Sequence, residues 1–507
     1  MGKRILLLLF SKAIVLCFAL SLSGLNAAII DTELHNQKVV QIAVTDIPIS
    51  LSPYATDALQ DQFSHLFFDP LVRWGQERKL EYRLLAKLKT INKNKTRFYL
   101  KKNIYFHSGN VLTSKDVQWS FQQALNNKYL QRKLQHKIKI TPVNRYQLDI
   151  ETSLTQPQLL DYLTHLFVLD SAYYQKNKIE HNVAQSALSP PITSLPLSGT
   201  GPYQVASYYS GVNLRVQANT HYWQNQPMYK TINFVKIKSP ESRLYALLAD
   251  DIDISESVSS KNINSVNFLE DKNVYQARGA NALFLTVNEL NNDLFNRQTA
   301  RNAIHLAINQ SGILKHILYG TGGVYDRFRL DTSQGVAPVY DAKRAKYLLG
   351  KIGAPKKMSL LVKSDPNSYT DEVAFALINM FKKVDIQLKV IKVETEKEWN
   401  LFQFNHDFTL SVWQSDLVEE GNVYHDIFSN SLLSGYINAH FNKQKRSLTM
   451  NEKIMLFEGY QLSDYIMPLF SRNKVWANDK QFDLQTVFSV NAIPYWHLLT
   501  VNKKSTP

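Results

Sequence analysis

Cysteine is nearly absent from this chain. The one thiol in 507 residues is Cys17, inside an apolar run from Ile5 to Leu22. Lys3 and Arg4 precede that run, and the small residues Ser23, Gly24, Ala27 and Ala28 follow it, the pattern of an export signal over residues 1–28. Lys12 interrupts the run and Leu25 or Asn26 falls at the −3 position, so the residues leave both cleavage and retention as an anchor open. Leu16 is too large for lipoprotein-type cleavage before Cys17. Without the leader the chain has no cysteine, which excludes disulfides, thiolate catalysis and cysteine-based zinc sites together. No later stretch approaches the ~20 apolar residues of a membrane span.

Other patterns are missing too. The 13 histidines are scattered, with no HExxH and no close pair beside carboxylates, so no metal site and no cofactor is expected. There is no GxSxG, and no Ser, His and Asp share a spacing that marks a triad. Acid is in deficit: the formal charge is +15, losing three when Lys3, Arg4 and Lys12 go with the leader. Lysine and arginine are spread rather than blocked, the pattern of a solvated surface rather than a nucleic-acid interface.

What is present is ordinary globular material, 44% hydrophobic and 20% charged. At this length two or three subdomains are expected. The clearest segment is 358–416. MSLLVKS (358–364) reads as a strand, 370–383 as a helix, VDIQLKVIKV (384–393) as a strand, 395–404 as a helix, and DFTLSVWQSD (407–416) as a third strand. This alternation predicts an α/β fold with βαβ units on a parallel sheet. Ligands bind outside the carboxyl ends of such strands, where Trp413 and Asp416 fall. An aromatic wall beside a carboxylate suits an organic cation. Core packing for Trp413 and a turn or cap role for Asp416 are the plainer alternatives.

Elsewhere, Thr113 with Asp116 predicts a capped helix from 114, and Asp341 caps another that stops at Gly350 or Gly353. The stripe Ala303, Ile304, Ala307, Ile308 predicts a core helix face. The Pro-rich stretch 189–203 marks a boundary, and its GTGPY end reads as a strand-entry turn or an anion nest. Gly320, Gly322, Gly323 and Tyr325 read as a flexible surface loop, with a meeting point of lobes as the alternative. Asn281 and Asn288 lie on a strand entering the last region, as backbone-pairing candidates.

Several of these segments, in this order, resemble the family 5 extracellular solute-binding proteins, the peptide-, dipeptide- and nickel-type binding components of ABC importers. FFDPLVRW (67–74) is similar to the family's "YEPLV" stretch, and 93–125 to its strand, "FHDG" turn and "LTAEDV" helix start. GTGPY (199–203), Asn219 with Tyr222 and Trp223, LLADDIDI (247–254), RNAIHLAI (301–308) and YDAKRAKYLL (340–349) follow in register. The resemblance spans roughly Val39 to Phe470. It implies a periplasmic-binding-protein-like two-lobe fold of type II, with an extra domain in the first lobe and hinge closure on ligand. Residues 38–60, 197–276 and 480–503 would form the first lobe's core, 61–196 its extra subdomain, and 277–479 the second lobe.

Peptide-binding members pair the ligand's ammonium with an aspartate three residues after a tryptophan, matched here by Asp416 and Trp413. LVEEG (417–421) lacks the family's proline, and the loop from GTGG (320–323) to Pro338 is short; both bear on pocket shape. The resemblance thus implies a monomeric, non-enzymatic periplasmic protein with no nucleic-acid role. It would deliver a small solute, foremost a short peptide, to an inner-membrane ABC permease. Asp416, Trp413, Asn281 and Tyr325 are its candidate ligand residues. A second reading is a periplasmic sensor related to sugar-phosphate-stress regulators, on the shortened crossing and NAIPYWHLL (491–499). A wall-fragment hydrolase has only the basic charge in its favour.

Overall fold

Two pairs of strands carry the chain between two sheets, and they set the whole architecture. Lys272–Arg278 lies in one sheet and Ala280–Val287 in another, with Gly279 alone between them. The return passes from Ile466–Phe470 to Asn473–Asp479. The computed structural model in which these are seen describes residues 38–54, 60–126, 131, 138–178, 197–324, 327–328, 337–364 and 368–502. The leader, most of the Pro-rich stretch and Tyr325 lie outside the described residues.

The first sheet has seven strands, in the order Lys272–Arg278, Asn473–Asp479, Ile254–Ser255, Val39–Val44, Thr231–Lys236, Asn213–Ala218 and Tyr203–Tyr209. Val39–Val44 runs parallel to both its neighbours, and four of its six residues are buried. The β-branched, nearly unbroken apolar sequence VVQIAV suits a strand covered on both faces. Asn473–Asp479 pairs along its full length with Lys272–Arg278.

The second sheet has the order Gln387–Val393, Lys357–Lys363, Phe408–Ser415, Ala280–Val287, Ile466–Phe470. Its first three strands are parallel, with Leu360 beside both Val390 and Phe408, as the alternation over 358–416 predicts. Helices Thr370–Lys382 and Glu396–Phe402 make the connections. The stripe Ala303, Ile304, Ala307 and Ile308 is buried in this lobe's core with Leu283, Leu360 and Phe381.

An antiparallel sheet of four strands, Leu85–Asn92, Lys95–Leu100, Gln147–Glu151 and Lys139–Asn144, builds the inserted subdomain. Asp116 accepts from the Thr113 amide at 2.8 Å and hydroxyl at 2.7 Å, opening the helix Ser114–Asn126 against this sheet. Asp341 accepts from the Arg344 amide at 2.9 Å at the start of Ala342–Lys351. GTGPY is a turn into the strand Tyr203–Tyr209: the Gly201 amide donates to Phe67 O at 2.9 Å. A Cβ at Gly201 would stand 2.3 Å from the Phe67 carbonyl carbon, so glycine is needed there for close backbone approach. Among the described residues, no helix is long and apolar enough to cross a membrane.

Candidate functional site

The strand Phe408–Ser415 lies in the middle of the second sheet, and its register against Ala280–Val287 brings the candidate residues together. Trp413 stands opposite Ala282, and Gln414 opposite Asn281. Both strands end at the gap between the lobes. There Arg78, Arg278, Asn281, Gly322, Phe328, Trp413, Val418 and Asn491 are among the residues that wall a recess with a cavity volume of about 90 Å³.

The Trp413 indole is 2% exposed and meets the Phe328 ring edge-on, with centroids 5.0 Å apart. Its Nε1–H is buried with no hydrogen-bond partner among the described residues. Such a donor is costly to leave unmade. Asn281 also faces the recess, but its amide is engaged. Nδ2 donates to Arg472 O at 2.9 Å and to Gly279 O at 3.1 Å, while Oδ1 accepts from the Arg472 amide at 2.9 Å. Backbone pairing thus accounts for both amide atoms of Asn281. Asn288 acts likewise, donating to Phe404 O at 3.0 Å and His406 O at 2.8 Å.

Asp416 follows the strand but is not among the recess residues. Its carboxylate lies 3.8 Å from His165 Nδ1, and Asn491 Nδ2 donates to its carbonyl. The neighbours Leu417 and Val418 do wall the recess. Tyr325, the fourth candidate, lies outside the described residues; Gly322 and Gly323, just before it, are recess residues.

Two guanidiniums went unmarked in the sequence. Arg278 ends the first crossing strand and is exposed; among the described residues its side chain makes no hydrogen bond or ion pair. Arg78, in a turn with positive φ (+56°), donates to Val418 O at 2.6 Å. Both are scattered charges in sequence, and only the strand crossing places them at one recess. The other unmarked residue is Asp161, which is fully buried. It accepts from Trp74 Nε1 at 2.6 Å, the Val418 amide at 3.1 Å, the Glu419 amide at 3.2 Å and Asn422 Nδ2 at 2.9 Å. Burial raises its pKa above the usual carboxylate value, against the pull of the Asn422 and Trp74 donors. A capping box, Thr155 with Gln158, announces its helix (Gln156–Tyr162), but nothing local in sequence announces its partners. Among the described residues no group of three or more His, Cys, Asp or Glu is placed to hold a metal ion.

Residues 79–433 match the sequence profile of the bacterial extracellular solute-binding proteins, family 5 (middle). The nickel-binding protein NikA of Staphylococcus aureus is 22% identical over 355 residues, covering 68% of each chain. The oligopeptide-binding protein AppA of Bacillus subtilis is 21% identical over 419 residues, 76% of this chain and 75% of its own. Among solved structures, the ABC transporter substrate-binding protein CtaP of Listeria monocytogenes superposes with a TM-score of 0.74 at 16% identity, over 92% of this chain and 99% of that one.

Proposed function

The chain belongs to the bacterial extracellular solute-binding proteins of family 5, and from that premise we propose that it captures short peptides in the periplasm for an ABC-type permease. The fold is the type II, two-lobe α/β fold of that family. In this reading the leader 1–28 exports the chain, the lobes close on the guest as a monomer, and no bond in the guest changes.

The observation that carries the peptide reading is the charge arrangement around the cleft. Arg278, without a side-chain partner among the described residues, is a guanidinium at the recess. Asp416 lies in the chain between the recess residues Trp413 and Leu417, with its carboxylate 3.8 Å from His165 Nδ1. A peptide offers one end to each: its carboxylate to Arg278 and its ammonium to Asp416. Trp413 and Phe328 supply the apolar wall for a side chain, with Asn281 holding the crossing that shapes the floor. Two relatives bear on the class of guest by name, one as oligopeptide-binding and one as nickel-binding. A cationic guest fits poorly beside Arg78 and Arg278, which favours the peptide. Closure then follows from differential contact, because a guest touching both lobes stabilises only the closed state.

A thermal-shift screen of di- to pentapeptides, sugars and nickel tests this directly. A guest at 100 times its Kd stabilises the folded state by about 2.7 kcal/mol. The reading expects peptides to raise the midpoint while sugars and nickel leave it unchanged. A shift with nickel or a sugar and none with any peptide contradicts it.

A further inference from the structure

The segment just after the strand Phe408–Ser415 is held from the opposite side of the cleft. The Val418 peptide is gripped at both ends by residues distant in sequence: its amide donates to Asp161 at 3.1 Å, and its carbonyl accepts from Arg78 at 2.6 Å. Asn422, 1% exposed, bridges two partners on one helix of the inserted subdomain, Gln158 O at 3.0 Å and Asp161 Oδ2 at 2.9 Å. The Asp161 carboxylate is itself oriented from its own side by Trp74 Nε1 at 2.6 Å. Every donor from 418 to 422 that reaches Asp161 thus belongs to the second lobe, and the acceptor to the first.

We infer that the inserted subdomain is a working jaw of the clamp, with Asp161 as the positioning residue that clasps the second-lobe wall of the recess when the lobes are closed. The inference rests on the clamp reading above and adds a contact that no guest is needed to make. Hydrogen bonds to an ionised acceptor are stronger than neutral ones, and a fully buried carboxylate with three donors across one interface discriminates between open and closed. In the open state Asp161 keeps only Trp74, and water replaces the rest. The contact also sets the position of Leu417 and Val418, which face the recess. The helix Glu420–Asn430 is carried with them, its first turn closed locally by Glu419 accepting from the Asn422 amide at 2.9 Å.

The test needs two spin labels and no ligand. With Cys17 changed to Ser the chain has no other thiol, so Lys89→Cys in the subdomain sheet and Met455→Cys, a residue 70% exposed on the second-lobe helix Met450–Leu462, take the labels. Pulsed dipolar spectroscopy then reads the separation of the lobes in the otherwise wild-type protein, in Asp161→Asn and in Asn422→Ala. The expected result is a short-separation population whose ratio to the long one falls by about tenfold or more in each variant. The double variant should lose less than the two single losses combined, because both remove the same contact. Identical distributions in all proteins, with or without a lower melting temperature, overturn the inference and make Asp161 an ordinary buried cap. If Asp161→Asn does not fold, Asn422→Ala gives the same readout alone. A protein that closes by this contact but takes no peptide would sink the proposed guest and leave the clasp standing.

Discussion

Asn281 and Arg472 are joined side chain to backbone in both directions: Asn281 Nδ2 donates to Arg472 O, and Asn281 Oδ1 accepts from the Arg472 amide, each at 2.9 Å. One residue starts the outbound crossing into the second lobe and the other sits in the return crossing, between Ile466–Phe470 and Asn473–Asp479. The pair therefore ties the two crossings side by side where the chain passes between the two sheets. Asn281→Ala removes both bonds from the Arg472 peptide and is expected to cost about 1–2 kcal/mol, read as a lower midpoint in urea. A conservative Asn281→Asp keeps the acceptor and loses the donor, so it should fall between the two.

Gly322 makes a second tie to the return crossing. It sits at φ +123°, and a Cβ there would stand 2.1 Å from Ser471 O, while Gly323 and Ser471 exchange backbone hydrogen bonds at 3.0 and 2.9 Å. Gly322→Ala should therefore destabilise by about 2–4 kcal/mol, from strain and displaced backbone together. Gly320 is the control: φ is +81° but nothing lies within 4 Å of a Cβ, so Gly320→Ala should cost only about 1 kcal/mol. Equal melting of the two variants would show that the contact with Ser471 does not hold the loop.

Acid should weaken the first lobe well before carboxylates titrate. Burial pushes His107 down to about 4, although its ring bond to the Gly201 carbonyl pulls the other way. Burial, with Arg73 and Arg83 nearby, also holds His65 and His497 well below the usual imidazole value. Each group is neutral in the fold and takes a proton more readily when unfolded. The unfolded state then binds more protons below about pH 6.5, so stability declines from there toward the folded value. For His107 the loss approaches roughly 3 kcal/mol at its limit. Denaturation at pH 7.5 and pH 5 checks this, with His107→Gln expected to lose less between the two.

A second acid step belongs to Glu289 in the other lobe. Burial raises its pKa, but hydrogen bonds from His440 and Lys443 outweigh that and bring it to about 2. A folded-state value below the unfolded one gives stability that is present above about pH 4.5 and is lost as pH falls toward 2. Allowing for solvent around the half-exposed Lys443, the step should be roughly 2 kcal/mol. Glu289→Gln should abolish this step while leaving the histidine step in place.

The proposed guest contacts separate by end. Arg278→Gln should weaken binding of a free peptide by tenfold or more, since truncating one partner of a desolvated charge pair costs ~2–5 kcal/mol. The same change should make no difference to the C-terminally amidated peptide. Asp416→Ala should do the same for the ammonium end, with the N-acetylated peptide as its control. Unchanged affinity in Asp416→Ala removes Asp416 as an anchor and leaves its carboxylate to His165.

Much of the fold was legible because its signals are local. Phe408, Leu410 and Val412 alternate with smaller or polar residues, the helix Glu396–Phe402 carries its own capping box at Thr395, and the order of strands and helices announces a parallel sheet. The buried stripe from Ala303 to Ile308 was legible for the same reason. The cleft was legible in part. Trp413 and Asn281 reach the recess because strand ends gather there, but the direction of the Asp416 carboxylate depends on His165, 251 positions away in the chain. Arg278 and Asp161 were not legible. Their positions come from crossing strands and from contacts between segments distant in the chain, and neither leaves a trace in residue spacing.

The central claim is capture without chemistry, and native mass spectrometry tests it most directly. The purified protein is incubated with an equimolar library of di- to pentapeptides, and the bound and free fractions are weighed. The account predicts complexes of one protein with one peptide, and every library mass recovered unaltered. Peptides left entirely unbound, or new masses from cleaved peptides, would contradict it.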